Sequence, residues 1–283
     1  MLPILRLIRP HHWIKNVLIF APLVLSFGFV DVDKIGLSLL GFLSWSLLAS
    51  AGYIYNDLQD VAADRAHPIK MNRPLAAGLI SKQTAILLAV ILLMAGLTVA
   101  YFIGIKALYM ALLYVGVNAL YSTWLKHIRW VDIVVLSSFY LMRIFMGGLI
   151  IDVKLTHWFV ATCSFAFLAM ATNKRVLSAK ITAKSPIADA VYTQSDQAFL
   201  HLISIVFAVA TIVFLNLHLI QLLGNQNRPY EMVIVNLIST LLLLFYFDDK
   251  KTDHDDPVRK ITSHLPTLIL VTMLVGYYVY LLN

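Results

Sequence analysis

Several stretches of this chain contain no Asp, Glu, Lys or Arg, among them residues 35–56, 83–105, 197–227 and 261–283. Each is about as long as a bilayer-spanning helix, roughly 20 residues. Hydrophobic residues make up 60% of the chain and the mean hydropathy is +0.81. A soluble protein of 283 residues could not hide that much apolar surface. The chain is therefore expected to be an all-α integral membrane protein. Nine transmembrane helices are expected at 16–31, 36–56, 84–103, 106–122, 131–151, 156–172, 198–222, 231–247 and 262–282. Their even pacing predicts one membrane-embedded domain over 1–283, without an internal repeat or a soluble domain. No cleavable signal peptide is expected, because the first apolar run lacks a small-residue cleavage site and further spans follow it. The lone Cys163 lies in an apolar segment and is expected to serve packing.

Charge decides the orientation. The N-terminus and the segments after the second, fourth, sixth and eighth spans hold 17 of the 22 lysines and arginines. The opposite side holds only Lys34, Lys106, Lys154 and Arg228, and Arg143 alone falls inside a span. Cytoplasmic loops concentrate cations, so the N-terminus is expected in the cytoplasm and the protein in the cell (inner) membrane. The net charge of +7 then reflects orientation and an anionic substrate, not nucleic acid.

One run departs from this apolar background. Asn56-Asp57-Leu58-Gln59-Asp60-Val61-Ala62-Ala63-Asp64 leads into His67-Pro68-Ile69-Lys70-Met71-Asn72-Arg73-Pro74. On a helix, Asp57, Asp60 and Asp64 fall at i, i+3 and i+7, on one face. Three clustered acids repel one another unless something positive lies between them. A hard divalent cation such as Mg²⁺, keeping waters and a substrate phosphate, suits oxygen ligands at that spacing. Lys70 and Arg73 follow in a Pro-bounded loop where a phosphate can be received. The topology puts this run on the cytoplasmic side, where Mg²⁺ and phosphorylated metabolites are available.

Other polar positions have two readings each. Arg143 lies mid-span, where a charge costs about 2.5–3.5 kcal/mol; it is either an internal ion pair that fixes helix packing or a phosphate contact. Asp132, three helical turns earlier, is its indirect partner or a second acid lining the same cavity. Lys126, after Tyr121 at the end of the fourth span, is a snorkelling anchor or a phosphate ligand. Asn173-Lys174-Arg175 opens the expected loop after the sixth span; its cations serve topology or bind a second anion. Arg9 to Asn16 reads as an interfacial segment with Trp13 at headgroup level. Lys15 begins the first span, facing headgroups or a cavity. The acidic and basic loop from Asp248 to Pro257 is a solvated loop or a support for a lid. His67 could orient the acidic loop, and the nine histidines have no metal-ligand spacing.

The pattern NDxxDxxxD at 56–64, in a chain of this kind, resembles the UbiA superfamily of intramembrane prenyltransferases. The continuation His67-Pro68, Lys70, Arg73-Pro74 and Ala76-Ala77-Gly78 is similar to the decaprenyl-phosphate phosphoribosyltransferase branch. So are Trp13 with Lys15-Asn16, Tyr121 with Leu125-Lys126, Asp132 with Arg143, Lys174-Arg175 and Asp255-Asp256-Pro257-Val258. The likeness covers nearly the whole chain. Aromatic prenyltransferases of the superfamily share a second Asp-rich run after the sixth span; here residues 173–184 hold no acid.

The resemblance implies transfer of 5-phosphoribosyl from phosphoribosyl diphosphate (PRPP) to a polyprenyl phosphate, with release of pyrophosphate. It implies Mg²⁺ on Asn56 and Asp60, with Asp57 and Asp64 in support, stabilising the leaving pyrophosphate. Lys70 and Arg73 are expected on phosphate oxygens. Lys15, Tyr53, Tyr121, Lys126 and Arg143 are expected on the acceptor phosphate, and Lys174 and Arg175 on a further anion. Tyr53 lies one helical turn before Asn56. Asp57, Asp60, Asp64 and Lys126 are the expected catalytic set. Two rivals remain: an aromatic prenyltransferase with an unusual diphosphate site, and a lipid-phosphate transporter, which would release no pyrophosphate.

Overall fold

The computed structural model describes residues 3–26, 28–66, 70–184, 191–223, 229–247 and 265–282. His67 and the charged loop from Asp248 onward lie outside the described residues. Among those described, every regular element is helical. They are α1 (Pro3–Ile8), α2 (Ala21–Leu25), α3 (Val32–Ala66), α4 (Lys82–Ile103), α5 (Ile105–Thr123), α6 (Val131–Ile150), α7 (His157–Lys184), α8 (Gln197–Leu223), α9 (Pro229–Phe247) and α10 (Leu265–Leu282). Short 3₁₀ segments interrupt them, the longest at Pro10–Phe20. Five helical segments are long and apolar enough to cross a membrane among the described residues: α3, α4, α5, α6 and Gln194–Leu223, which contains α8. The chain forms two compact units. One comprises Met1–Val135 with Met142–Lys154, the other Leu136–Leu141 with Leu155–Asn283.

From residue 36 onward the helices fall close to the expected spans, with two extensions. Helix α3 runs 35 residues, past the expected span end at 56, and carries the acidic run on its last turns. Helix α7 continues through Asn173-Lys174-Arg175 to Lys184, where a loop was expected. No Gly or Pro occurs between His157 and Lys184, and the 173–184 segment is rich in Lys, Arg, Leu and Ala, which favour helix.

The expected first span, 16–31, is not a continuous α-helix. It is the end of the 3₁₀ segment, then five-residue α2, then a 3₁₀ turn at Gly28–Val30. Proline explains the break. An α-helix through this point would direct the residue 22 N–H to the Leu18 carbonyl, and Pro22 has none. The Ala21 N–H bonds Leu18 instead, in the tighter 3₁₀ pattern.

The 3₁₀ geometry also sets how this segment meets α3. Residues three apart eclipse on a 3₁₀ helix, so Trp13, Asn16 and Ile19 share one edge. Three 3₁₀ residues and four α-helical residues both rise about 6 Å. The edge therefore advances along antiparallel α3 by four to five residues at each step. The Trp13 indole donates to Ser50 Oγ at 2.9 Å, and the Asn16 amide donates to Ser46 Oγ at 3.0 Å. Ile19 is fully buried one step further, beside Gly41. Trp13 thus turns its indole N–H onto α3.

Small residues allow the rest of this unit to close. Ser38, Ser44, Ser46 and Ser50 of α3 are fully buried. Ser44 Oγ donates to the Gly96 carbonyl of α4 at 2.8 Å. Small side chains are how membrane helices bring their backbones together. Helix α4 starts at the Ser81 N-cap, whose hydroxyl accepts the Thr84 N–H. Gly104, at φ +149°, turns the chain directly into α5.

In the second unit α7 packs along α8. Ser204 Oγ donates to the Ala169 carbonyl at 3.0 Å, and the rings of Phe165 and Phe214 stack at 4.9 Å. Asn216 and Asn236 exchange two amide hydrogen bonds of 2.8 Å between α8 and α9.

Gly147 of α6 has no room for a side chain, because a Cβ there would overlap the Ile19 carbonyl oxygen. Gly147→Ala should lower stability by about 1–3 kcal/mol, as overpacking does. Gly116→Ala, at a helix-interior position with nothing within 4 Å, should be neutral or stabilising by about 0.5–1 kcal/mol. Thermal unfolding of both variants in detergent checks the contrast.

Candidate active site: a cation-matched acidic helix face

The site is built on the C-terminal half of α3. Asp57, Asp60 and Asp64 share one face, as their spacing predicts. Asp57 is 1% exposed and Asp64 2%. Buried carboxylates need partners, and cations arrive from three other segments.

Arg9 approaches from the N-terminal side. Its Nη2 lies 2.6 Å from Asp57 Oδ1 and 2.8 Å from Oδ2. Its guanidinium also sits 5.5 Å from the centre of the Tyr53 ring. Arg9 adopts a left-handed backbone, φ 56° and ψ 57°, between α1 and the 3₁₀ segment. That is uncommon for a residue with a Cβ. It reverses the chain so that α1 and the 3₁₀ segment both lie against α3. Arg73 comes from the loop after α3. Its Nη1 bridges Asp57 Oδ1 at 3.2 Å and Asp64 Oδ2 at 2.7 Å. The loop itself is tied down where Arg65 Nε donates to the Ala76 carbonyl at 3.1 Å. Lys126, in the 3₁₀ turn Leu125–His127 after α5, places its Nζ 2.6 Å from Asp60 Oδ1. Asn56 Nδ2 donates to the other oxygen of Asp60 at 3.0 Å.

A second polar cluster lies deeper. Arg143 of α6 is 4% exposed. Its Nε donates to Asn16 Oδ1 at 2.7 Å, and its guanidinium lies 5.7 Å from the centre of the Tyr114 ring. Asn16 is in turn held by Ser46. A chain of contacts from α3 through the 3₁₀ segment thus orients the arginine. Asn16, which the 3₁₀ segment brings within reach, is a partner of Arg143 that the spacing from Asp132 did not suggest.

The structure therefore gathers the α3 acids with their cations in two sets of contacts, Asp57 and Asp64 with Arg9 and Arg73 beside Tyr53, and Asp60 with Asn56 and Lys126. Lys15 lies on the 3₁₀ edge of His12, whose ring is 5.2 Å from that of Tyr53. Lys70 opens the short turn Lys70–Asn72 whose carbonyl accepts the Arg73 N–H. Tyr121 lies in the last turn of α5, just before Lys126. Lys174 and Arg175 belong to α7 of the second unit, within a helix and not in the expected loop. Arg9, His12 and Asn16 were not expected in the site. Their spacing of three along 9, 12 and 15, and along 13 and 16, is a 3₁₀ signal that an α-helical or loop reading overlooks.

The donor set suits Mg²⁺ in a particular way. Among the described residues no three His, Cys, Asp or Glu side chains gather as a metal cage. Mg²⁺ usually takes one or two carboxylates plus water and substrate phosphate. Asp60 and Asn56 lie side by side, the Asn56 amide nitrogen 3.0 Å from Asp60, so the pair fits the ion through a carboxylate oxygen and, with the amide turned over, the amide oxygen. The ammonium of Lys126 supplies the positive charge beside Asp60.

Removing one partner of a buried ion pair leaves a buried charge and costs about 3–5 kcal/mol. Arg9→Ala should therefore destabilise the protein strongly. Arg9→Ala combined with Asp57→Asn should recover part of the loss. A double-mutant cycle in thermal unfolding measures the coupling, and purely additive effects would contradict the pairing.

Comparison with known proteins places the chain in a family. The model of the UbiA prenyltransferase family matches residues 17–263. Decaprenyl-phosphate phosphoribosyltransferase of Mycolicibacterium smegmatis is 35% identical over 176 residues, 61% of this chain and 55% of that protein. The match thus spans little more than half of that relative's length. Nodulation protein NoeC of Azorhizobium caulinodans is 29% identical over 237 residues, 83% of this chain and 76% of that protein. Among solved structures, a UbiA homologue from Archaeoglobus fulgidus bound to GPP and Mg²⁺ superposes with a TM-score of 0.69 at 18% identity, covering 99% of both chains. That likeness speaks for the fold. With the family model covering most of its length, the chain belongs to the UbiA prenyltransferase family.

Proposed function

We propose that this protein is a membrane transferase that moves 5-phosphoribosyl from PRPP to a polyprenyl phosphate and releases pyrophosphate. The reaction is assigned to the cytoplasmic face of the cell (inner) membrane. It takes place in one membrane-embedded domain over 1–283, with nine spans and a cytoplasmic N-terminus. The observation that carries the reading is the alternation of acids and cations on α3: Asp57 and Asp64 with Arg9 and Arg73, Asp60 with Lys126. Such a site has groups for both a divalent cation and the phosphates it bridges. Relatives named decaprenyl-phosphate phosphoribosyltransferase support the substrate class.

Asn56 and Asp60 would hold Mg²⁺, with Asp57 and Asp64 in support; the ion would neutralise charge developing on the departing pyrophosphate. Lys70 and Arg73 bind diphosphate oxygens, Arg73 keeping its position through Asp64. Lys15, Tyr53, Tyr121, Lys126 and Arg143 bind the acceptor phosphate. Lys126 is poised for this because a flexible ammonium can leave Asp60 for a phosphate oxygen. Arg143 is pre-oriented by Asn16, so little order has to be gained on binding. Lys174 and Arg175 are assigned to a further anion. An oxygen of the acceptor phosphate bonds to the anomeric carbon as the bond to pyrophosphate breaks, and the electron pair leaves with pyrophosphate. The acceptor is already anionic near neutral pH, so no strong general base is needed.

A second reading, prenyl transfer from a prenyl diphosphate, is favoured by the GPP and Mg²⁺ bound to the Archaeoglobus homologue. The absence of any acid in residues 173–184 weighs against a second metal site of that kind.

Purified protein given labelled PRPP, a polyprenyl phosphate and Mg²⁺ should yield a labelled organic-phase lipid, and EDTA should abolish it. Asp60→Asn and Lys126→Ala should each lower turnover by about 10²–10³ while the protein stays folded, the scale of losing one preorganised electrostatic contact. Full activity in both variants overturns the residue assignment. Reaction with prenyl diphosphate and an aromatic acceptor, but not with PRPP, moves the protein to the second reading.

A further inference from the structure

A cavity of about 630 Å³ lies between α3, α4 and α5, all within the first unit. It belongs to a different face of α3 from the acidic network. Leu48, Gly52, Tyr55 and Gln59 line it, at i, i+4, i+7 and i+11. Tyr53, Asp57, Asp60 and Asp64 repeat the same spacing five residues on, about 140° around the helix.

The groove is apolar along its length and polar at one end. From Gln59 to Leu48 on α3, and from Lys82 to Leu93 on antiparallel α4, it extends about 16 Å along the helix axes. That is about half of a 30 Å hydrocarbon core, the depth of one leaflet. Its outer wall is open to the surroundings, since the lining residues Ile86 and Val90 are 51% and 50% exposed. Lys82 is the one charged residue lining it, and no acid does. No ion pair of Lys82 occurs among the described residues. Lys82 also sits in the first turn of α4, where the helix dipole is positive. Apolar depth of one leaflet, a lateral opening and a positive end at the level of the charged network describe the complement of an anionic lipid.

We propose that this groove binds a bilayer phospholipid with an anionic headgroup, one acyl chain against α3–α5 and the phosphate at Lys82. This lipid is not the reacting acceptor, whose phosphate must reach the other face of α3. Tyr114 stands between the two places. It lines the groove, and its ring faces the Arg143 guanidinium at 5.7 Å. The groove lipid therefore touches the residue that packs on Arg143. The inference rests on membrane insertion, and only its distinction from the reacting acceptor rests on the function proposed above.

Native mass spectrometry of the detergent-purified protein, titrated with phosphatidylglycerol or phosphatidylcholine, tests it without any turnover assay. Wild type should bind one phosphatidylglycerol in preference to phosphatidylcholine. Lys82→Ala should weaken that binding about fivefold, the effect of one surface cation on an anionic lipid. Ala89→Phe, which fills the groove, should abolish it. Equal binding of the two lipids, or phosphatidylglycerol binding unchanged in Lys82→Ala, overturns the proposal. So does displacement of phosphatidylglycerol by equimolar polyprenyl phosphate, which would make the groove the acceptor's tail site. Should Ala89→Phe fail to fold, Lys82→Ala and the competition still decide.

Discussion

The pairing of Asp57 with Arg9 and Arg73 is the interaction on which the first unit depends. A carboxylate that is 1% exposed cannot stay charged without partners. Meeting that demand requires two segments far apart in sequence to converge on α3. Arg9 draws in the N-terminal segment and Arg73 draws in the loop that follows α3. With Arg9 anchored, the 3₁₀ segment is set along α3 with Trp13 on Ser50 and Asn16 on Ser46. Asn16 then has its carbonyl oxygen directed at Arg143. A single buried acid thus ties together Arg9, Arg73 and, through the 3₁₀ segment, the deeper arginine.

The arrangement has a chemical consequence. Asp57, Asp60 and Asp64 are each matched by a cation in the protein itself, so the site is close to neutral although it is dense in charge. A divalent cation and an anionic substrate entering together preserve that balance, whereas either alone disturbs it. Arg73 and Lys126 are suited to exchange a carboxylate for a phosphate, since both form charge-assisted bonds of the same kind. Arg9 differs: it meets both oxygens of Asp57, which is a more committed geometry. It reads as a structural clamp beside more exchangeable neighbours.

Much of this was legible in the chain. Charge-free runs located α4, α8 and α10 to within a few residues, because a span must be continuous in hydrophobicity. The spacing of Asp57, Asp60 and Asp64 placed them on one face because helix period is a local property. Arg9 and Asn16 were not placed beside the acids for the opposite reason. An α-helical period groups them differently from the 3₁₀ geometry that Pro22 and the register against α3 impose. The Arg143 partner was likewise not readable, since Asn16 is 127 positions away.

The amino-acid sequence alone determined that the chain is a helical membrane protein with one acid-rich helix end and a cation excess to answer it. Composition and periodicity suffice for that, since burial of apolar helix and repulsion between clustered acids do not depend on topology. Only the tertiary structure decided which cation meets which acid, that Arg9 and Asn16 belong to the site, and that α3 presents a lipid-sized groove on another face. Those outcomes follow from which backbones approach closely enough to share a hydrogen bond. That depends on small residues such as Ser44, Gly96 and Gly147 at specific crossings, not on any local pattern.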